Sequence, residues 1–185
     1  MTIRPGDLAP SFSTQDIVGR PVDLAALRGG PVLLTFLRNA ACALCNLRVH
    51  ELIERHDLLR QAGLSVIAVF ESPAESMREY VGQQDAPFPL VADPEATLYA
   101  RYAVESSAAK VEATMAMPET HQRVATAAAL GFELTQQEGS NFLRMPADFL
   151  IDADGTVQLA HYAEHVSDHL PFDAIDAALG LQVPA

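Results

Sequence analysis

The two cysteines of the chain, Cys42 and Cys45, stand three positions apart. They fall where an apolar run over 32–37 gives way to helical spacing over 43–61, so both thiols are expected at the start of a helix. The N-terminus of a helix presents unpaired N–H groups and the positive end of its dipole, and both stabilise a thiolate. Two sulfurs on one first turn are also close enough to close a small disulfide ring. The spacing therefore predicts a reversible thiol–disulfide pair.

The surroundings of the two thiols are expected to differ. Cys45 leads the apolar stripe of the predicted helix and should point inward, whereas Cys42 should lie at the more exposed end. Arg38 precedes the motif and Arg48 follows it, so either could supply a cation to a thiolate. We expect no histidine base from this helix, because His50 lies roughly 12 Å along it from Cys42 and His56 roughly 16 Å from Cys45.

Two simpler interpretations of the cysteines are weaker than the redox pair. A zinc site would need a second pair of ligands, and the chain has no further cysteine. Two ordinary core thiols would not need to fall together at one strand–helix junction. His161, His165 and His169 recur every four residues, but they lie between a strand and a helix and are expected in a solvated loop. The sequence therefore predicts no metal and no cofactor.

Alternating strand and helix signals surround the motif. Residues 12–15 and 20–22 form a predicted hairpin around Gly19, and a helical turn is expected over 23–27. Buried strands are expected over 32–37, 64–70 and 88–92, with helices over 43–61, 73–81 and 94–102. Ser72 is the expected N-cap of the second helix. A strand, a helix and a parallel strand in this order form a βαβ unit.

The C-terminal part predicts a hairpin, an insertion and a last helix. Residues 148–152 and 156–160 flank an Asp- and Gly-rich turn, and a helix is expected over 171–179. Residues 104–144 are too many for a structureless loop, so we predict a helical insertion with a helix over 119–130. We expect this insertion to cover the thiol end of the fold or to form a homodimer contact. The whole chain, 1–185, is predicted to form one domain.

Composition excludes several classes of function. Hydrophobic residues make up 49% of the 185-residue chain, enough for a substantial core. The formal net charge of −12 disfavours both a nucleic-acid partner and an anionic membrane surface. No apolar run approaches the roughly 20 residues that span a bilayer, and the N-terminus lacks the apolar region of a secretory signal. With two cysteines and no disulfide framework, we expect a soluble cytoplasmic protein.

Five segments together resemble the alkyl hydroperoxide reductase/thiol-specific antioxidant family, the peroxiredoxin-like proteins of thioredoxin fold. The order and spacing of these segments carry the resemblance, which excludes 104–144 and the last thirty residues; the segments are 5–12, 27–38, 42–45, 88–94 and 146–152. The resemblance implies an α/β fold in which a central mixed β-sheet is flanked by helices on both faces, after an N-terminal β-hairpin.

The family's active-site positions map onto this chain with departures. Cys45 falls where peroxiredoxins carry the peroxidatic cysteine, and Cys42 replaces a threonine of that motif. In thioredoxins the same two positions are the nucleophilic and resolving cysteines. The peroxide-binding arginine of peroxiredoxins is replaced by Pro146, which resembles the cis-proline of thioredoxins. A cis Met145–Pro146 bond would leave the backbone of Met145 open to a thiol-bearing partner.

The resemblance implies a thiol-based antioxidant oxidoreductase that reduces peroxides through Cys42 and Cys45. Arg38, Met145 and Pro146 are the expected substrate-binding or supporting residues. We expect a peroxide or protein disulfide as substrate and a thiol reductant such as thioredoxin or glutathione as partner. Two alternatives stay open: a thioredoxin-type protein disulfide reductase, and a non-enzymatic redox sensor or adaptor. Helix-start placement slightly favours Cys42 as the more reactive thiol.

Overall fold

The computed structural model describes residues 2–133, 135 and 138–181, and its centre is a five-stranded mixed sheet in the order β5-β4-β3-β6-β7. Three strands of this sheet are parallel to one another: β3 (Val32–Phe36), β4 (Ser65–Phe70) and β5 (Leu90–Ala92). The last two strands are antiparallel: β6 (Ala147–Ile151) and β7 (Val157–Tyr162). A separate N-terminal hairpin pairs β1 (Ser13–Gln15) with β2 (Pro21–Asp23).

Helices cover both faces of the sheet, because every residue of β3 and β6 is buried and each face needs an apolar cover. One face packs against α1 (Ala43–Gln61), α2 (Ala74–Glu79) and α6 (Phe172–Ala178). The other packs against α3 (Thr97–Arg101) and the hairpin. Among the described residues, no helix is long and apolar enough to cross a membrane. The predicted fold class is confirmed.

The element next to the thiols matches its prediction closely. The helix expected over 43–61 is α1, which begins at Ala43 and ends at Gln61. The helix expected over 73–81 is shorter: α2 begins after Pro73, and a 3-10 turn over 81–84 follows it. Ser72 is not its N-cap, because the Ser72 hydroxyl accepts the backbone N–H of Ala40 at 3.0 Å. That bond instead ties the loop before α1 to the end of β4.

The segment between β5 and β6 contains two further helices after α3, namely α4 (Ala108–Met115) and α5 (Pro118–Ala129). The second matches the helix expected over 119–130, and the first was not predicted as a separate element. Ala127 of α5 is fully buried against Ala43 and Leu47, on the first two turns of α1. Assignment of 1–185 to one domain with an insertion over 104–144 stays a prediction; residues 1, 134, 136–137 and 182–185 of those ranges lie outside the described residues.

Candidate active site

Both thiols lie at the N-terminus of α1, beneath the ends of the parallel strands. Cys42 is the residue that caps the helix and Cys45 is on its first turn. Both are free thiols, with exposed fractions of 6% for Cys42 and 1% for Cys45. Cys45 points inward as predicted, but Cys42 is also buried, because the loop before it folds back. The side chain of Asn46 holds that loop by donating to the carbonyls of Ala40 and Cys42, at 2.8 and 3.0 Å.

Arg38, which lies two residues past the end of β3, contacts both sulfurs. Its backbone N–H donates to Sγ of Cys45 at 3.3 Å. Its guanidinium Nη1 donates to Sγ of Cys42 at 3.7 Å. One buried residue thus supplies a neutral donor to one thiol and a positive charge to the other, and the predicted contact of Arg38 with the redox pair is present.

The guanidinium of Arg38 is held by the segment that precedes β6. Its Nε donates to the carbonyl of Arg144 at 2.9 Å, and its Nη2 donates to the carbonyl of Phe142. Glu71 fixes that segment, because its carboxylate accepts Nε of Arg144 at 2.5 Å and Nδ2 of Asn141 at 3.1 Å. The backbone N–H of Glu71 donates to the carbonyl of Arg38 at 3.0 Å. Arg38 is therefore fixed at its backbone and at its side chain.

These contacts separate the acidities of the two thiols. A hydrogen bond from the Cys45 thiol, the charge of Arg38 and the backbone N–H groups of Cys45 and Leu44 lower the pKa of Cys42 to about 6, against the opposing effect of burial. Burial and the neighbouring Cys42 thiolate raise the pKa of Cys45 well above its usual value. At neutral pH the pair therefore holds one thiolate, on Cys42, and one thiol, on Cys45.

The other predicted cation is not part of this arrangement. Arg48 donates to the carbonyl of Leu170 at 2.9 Å and stacks on the ring of Phe172, 4.3 Å from its centroid. Its position on the turn after Cys45 directs it toward α6, so the expectation of a second cation at the thiols is wrong. His50 contacts Glu54, and His56 lies against Phe88; neither contact involves a sulfur.

The structure contradicts the expected cis bond before Pro146. The described part of the chain has no cis peptide bond, so Met145–Pro146 is trans. Trans is the favoured isomer, and here the chain runs directly into β6. Met145 is 1% exposed, and its N–H donates to the carbonyl of Glu105 at 3.0 Å. The carbonyl of Pro146 accepts the N–H of Ala163 at 3.2 Å. The expected open backbone at Met145 is therefore wrong.

The side chain of one of the three late histidines, His169, is only 5% exposed, contrary to the expected solvated loop. Nδ1 of His169 lies 3.1 Å from Oδ2 of Asp148, on the central part of β6, and that same oxygen accepts the N–H of Leu170 at 2.7 Å. Although burial opposes ionisation, His169 and Arg48 hold the pKa of Asp148 well below its usual range. Within the described ranges, no three His, Cys, Asp or Glu side chains are placed to hold a metal ion.

Glu71, Asn141, Phe142 and Arg144 support the site but are not among the residues that the sequence predicts. Glu71 was detectable in principle, because it directly follows β4 and Arg38 follows β3 at the same edge of the sheet. The carbonyls of Phe142 and Arg144 left no signal, because any residue type provides a carbonyl.

The comparisons with known proteins agree with this architecture. A sequence model of the AhpC/TSA family matches residues 5–160. Peroxiredoxin Bcp of Escherichia coli is 29% identical over 91 residues, which are 49% of this chain and 58% of Bcp. The Mycobacterium tuberculosis protein assigned as peroxiredoxin Rv2521 is 30% identical over 93 residues, 50% of this chain and 59% of that protein. The chain thus spans less than two thirds of these relatives.

The likeness of fold extends over nearly the whole chain. Peroxidoxin BcpB of Mycobacterium tuberculosis superposes with a TM-score of 0.66 at 18% identity, covering 96% of this chain and 95% of that protein. At such identity the likeness establishes the thioredoxin fold and nothing further. With the family match covering most of the sequence, the chain belongs to the AhpC/TSA family.

Proposed function

We propose that the protein is a thiol-dependent peroxidase in which Cys42 is the attacking thiolate and Cys45 the resolving thiol. The observation that supports this assignment most directly is the asymmetry of the pair. The guanidinium of Arg38 contacts Cys42, whose pKa is lowered to about 6, whereas the pKa of Cys45 is raised. A thiolate, not a thiol, attacks an oxidant.

The chemistry of each step follows from these protonation states. The Cys42 thiolate attacks one oxygen of the peroxide, the O–O bond breaks, and an alcohol or water leaves once its oxygen takes up a proton. The resulting sulfenic acid on Cys42 is attacked by Cys45, whose thiol proton leaves with the hydroxyl as water. An intramolecular disulfide remains. Two equivalents of a small or protein thiol then restore both cysteines and become a disulfide themselves.

This assignment differs from the alignment with peroxiredoxins, in which Cys45 occupies the peroxidatic position. Two features favour Cys42. Its sulfur is the one in contact with a full positive charge, and the residue Cys42 is 6% exposed against 1% for Cys45. The hydrogen bond from Arg38 to Cys45 comes from its neutral backbone N–H, and the charge of Arg38 acts on that sulfur without a direct contact. Since a guanidinium stabilises an anion more strongly than an amide N–H does, Cys42 is the better nucleophile at neutral pH.

The burial of the pair favours a small oxidant over a protein disulfide. Cys42 is 6% exposed, and the backbone N–H of Met145, which the disulfide-reductase alternative needs free, is already bonded. A cleft of about 360 Å³ is lined by Ala41 and Asn46, which flank the two cysteines in the chain, although neither cysteine lines it. We therefore favour a peroxide as substrate over the disulfide-reductase and sensor alternatives.

The finer properties of the activity are part of the same proposal. The reductant is a thiol of the thioredoxin or glutathione class, which attacks the disulfide at Cys42, the more exposed of the two residues. Two free cysteines are suited to the cytoplasm, where thiols are kept reduced. Met145 and Pro146 support the site by leading the chain into β6 rather than by contacting substrate. A homodimer is compatible with these assignments.

The test compares Cys42→Ser with Cys45→Ser, assayed by hydrogen peroxide consumption with dithiothreitol as reductant. Cys42→Ser should abolish consumption. Cys45→Ser should still form a trappable sulfenic acid on Cys42 but no intramolecular disulfide. The wild type should lose two protons per chain on mild oxidation, measured by mass spectrometry. Reduction of insulin disulfides by the same samples provides the comparison with the reductase alternative.

Three results would count against the proposal. Retained activity in Cys42→Ser with loss in Cys45→Ser would transfer the nucleophile to Cys45. Faster insulin reduction than peroxide consumption would favour the disulfide reductase. Free thiols that persist under mild oxidation would contradict the redox pair itself.

A further inference from the structure

The backbone distorts where β3 ends, and this distortion directs a donor at Cys45. In regular parallel pairing, the bond from the N–H of Leu37 to the carbonyl of Val69, 2.9 Å long, would be followed by one from the N–H of Glu71 to the carbonyl of Leu37. Here the N–H of Glu71 bonds to the carbonyl of Arg38 instead, one residue further on. The ladder therefore no longer supplies a donor to the carbonyl of Leu37.

Tyr99 of α3 supplies that donor from the face of the sheet opposite to α1. Its hydroxyl lies 2.5 Å from the carbonyl oxygen of Leu37 and 3.0 Å from that of Val69. The side chain is fully buried, with its ring against Phe36 at 5.1 Å between centroids. The guanidinium of Arg144 stacks on the same ring, 4.7 Å from its centroid. Tyr99 is therefore held firmly under the first residues of the thiol loop.

The carbonyl of Leu37 and the N–H of Arg38 belong to one peptide group, which is planar. A donor on its oxygen fixes the direction of its N–H and, by polarising the group, strengthens the bond that the N–H makes. That bond is the one to Sγ of Cys45. The hydroxyl of Tyr99 is thus connected to the sulfur of Cys45 through a single peptide group, without touching it.

We propose that Tyr99 is a positioning residue for the thiol pair: its hydroxyl orients the Leu37–Arg38 peptide so that the N–H stabilises Cys45 as a leaving thiolate. The proposal rests on the proposed function, in which the Cys42–Cys45 disulfide is reduced in every cycle. The reductant thiolate attacks Sγ of Cys42, the S–S bond breaks, and its electron pair leaves with Sγ of Cys45. A second reductant thiol then releases Cys42 as a thiolate, and Cys45 takes up a proton.

The test uses Tyr99→Phe, which removes one oxygen and keeps the ring. Tyr102→Phe is the matched control, because Tyr102 is fully buried in the same aromatic cluster while its hydroxyl donates at 2.7 Å to the carbonyl of Pro10, in the N-terminal segment. The disulfide is prepared with diamide, which avoids any dependence on peroxide. Its reduction by dithiothreitol is then followed by alkylation and mass spectrometry.

We expect Tyr99→Phe to slow reduction of the disulfide about three- to tenfold, the effect of one lost buried hydrogen bond. Oxidation of the reduced protein by hydrogen peroxide should change less than twofold, since Cys42 keeps its contact with Arg38. Tyr102→Phe should leave both rates unchanged. Equal slowing in the two variants, or none in Tyr99→Phe, would overturn the proposal.

A second measurement separates this proposal from the proposed function. In a Cys42→Ser background, the pH dependence of Cys45 alkylation reports the Cys45 thiolate without any disulfide or peroxide. Adding Tyr99→Phe should move its midpoint to higher pH, while adding Tyr102→Phe should not, and thermal unfolding of each variant checks that the fold is kept. A protein that consumes no peroxide but shows this difference refutes the peroxidase and supports Tyr99. An equal midpoint of Cys45 alkylation in the Tyr99→Phe and Tyr102→Phe variants refutes the proposed role of Tyr99.

Discussion

At the scale of single residues, Arg38 and the Cys45 thiol together make Cys42 the more acidic of the two thiols. The backbone N–H of Arg38 donates to Cys45 and its guanidinium donates to Cys42. The donor to Cys42 is therefore charged, whereas the donor to Cys45 is neutral. Charged donors stabilise anions more than neutral donors do. Arg38 can be buried because the carbonyls of Phe142 and Arg144 accept hydrogen bonds from its guanidinium. The acidity of Cys42 is therefore a property of this arginine's environment as much as of the helix.

Replacing Arg38 by methionine should raise the pKa of Cys42 from about 6 toward the ordinary thiol value near 8.5, because the nearest positive charge is lost. The hydrogen bond from the Cys45 thiol and the N–H groups of the helix remain, so part of the lowering should persist. Reaction with hydrogen peroxide at pH 6.5 should slow about tenfold. Ultraviolet absorbance of the thiolate during a pH titration measures the change. Arg101→Met, at an arginine that donates to the Ser11 carbonyl instead, is the control and should behave as wild type.

The reaction of the wild type with peroxide should follow the ionisation of Cys42. Its pKa is lowered to about 6, so the thiolate is nearly complete at neutral pH and is lost as the pH falls through that value. The rate should therefore rise from acidic pH, reach half its maximum near pH 6 and remain level above neutrality. Rapid-mixing measurements of peroxide consumption across that range provide the profile. A rate that still climbs steeply above pH 8 would assign the attack to Cys45.

At the scale of elements, the sequence predicts the parts that carry their own periodic signal. The helix over 43–61 and the late hairpin were found because apolar spacing and turn residues specify them locally. Asp148 shows what local patterns miss. Its local sequence is that of an ordinary strand residue, yet it becomes a buried anion because β6 is an inner strand of the sheet, between β3 and β7. Its partners Arg48 and His169 are distant in the chain, so no local spacing connects them.

The same limit explains the candidate site. Cys42, Cys45 and Arg38 form one continuous segment, and their proximity follows from the strand–helix junction alone. The carbonyls that hold Arg38 come from a segment about a hundred residues away, and only the closure of β6 against β3 brings them near. The cis-proline expectation failed for a related reason: it was transferred from a resemblance, whereas the bonds of Met145 are set by its own neighbours.

Asp148→Asn should destabilise the fold by about 3 kcal/mol, because it removes the carboxylate that pairs with the buried side chain of His169 at 3.1 Å and whose charge also acts on buried Arg48. The lowered pKa of Asp148 means that its carboxylate stabilises the native state above the unfolded-state pKa near 3.9, and that this contribution fades as the pH falls below it. The difference between wild type and variant should therefore shrink in strong acid. Urea unfolding at several pH values measures both effects.

Asp57→Asn is the control for this measurement. Asp57 is 85% exposed at its side chain and lies 3.8 Å from Arg60 in a surface pair of little expected energy. We expect its free energy of unfolding to stay within about 0.5 kcal/mol of wild type. Equal losses in the two variants would mean that the cluster around Asp148 contributes nothing beyond an ordinary surface charge.

At the scale of the whole molecule, the segment between β5 and β6 closes the thiol end of the fold in two ways. Its helix α5 lies against the first turns of α1, and its last residues hold the guanidinium of Arg38. This arrangement agrees with the expectation that the segment covers the active-site end. The helix α5 adds cover beside Cys42, because Ala127 packs against Ala43, the residue that follows Cys42.

Detaching α5 should therefore expose Cys42. Ala127→Glu places a charge at a fully buried contact with Ala43 and Leu47, which costs about 2 kcal/mol or more unless the helix moves away. Ala125→Glu adds the same charge at an exposed position of the same helix and is the matched control. We expect iodoacetamide to alkylate Cys42 severalfold faster in Ala127→Glu than in Ala125→Glu, at a pH where the thiolate is complete in both.

Light scattering of the two proteins shows whether this face also joins two copies, in which case the solution mass of Ala127→Glu should halve. Equal alkylation rates with an unchanged mass would mean that α5 neither shields the thiol nor forms an interface.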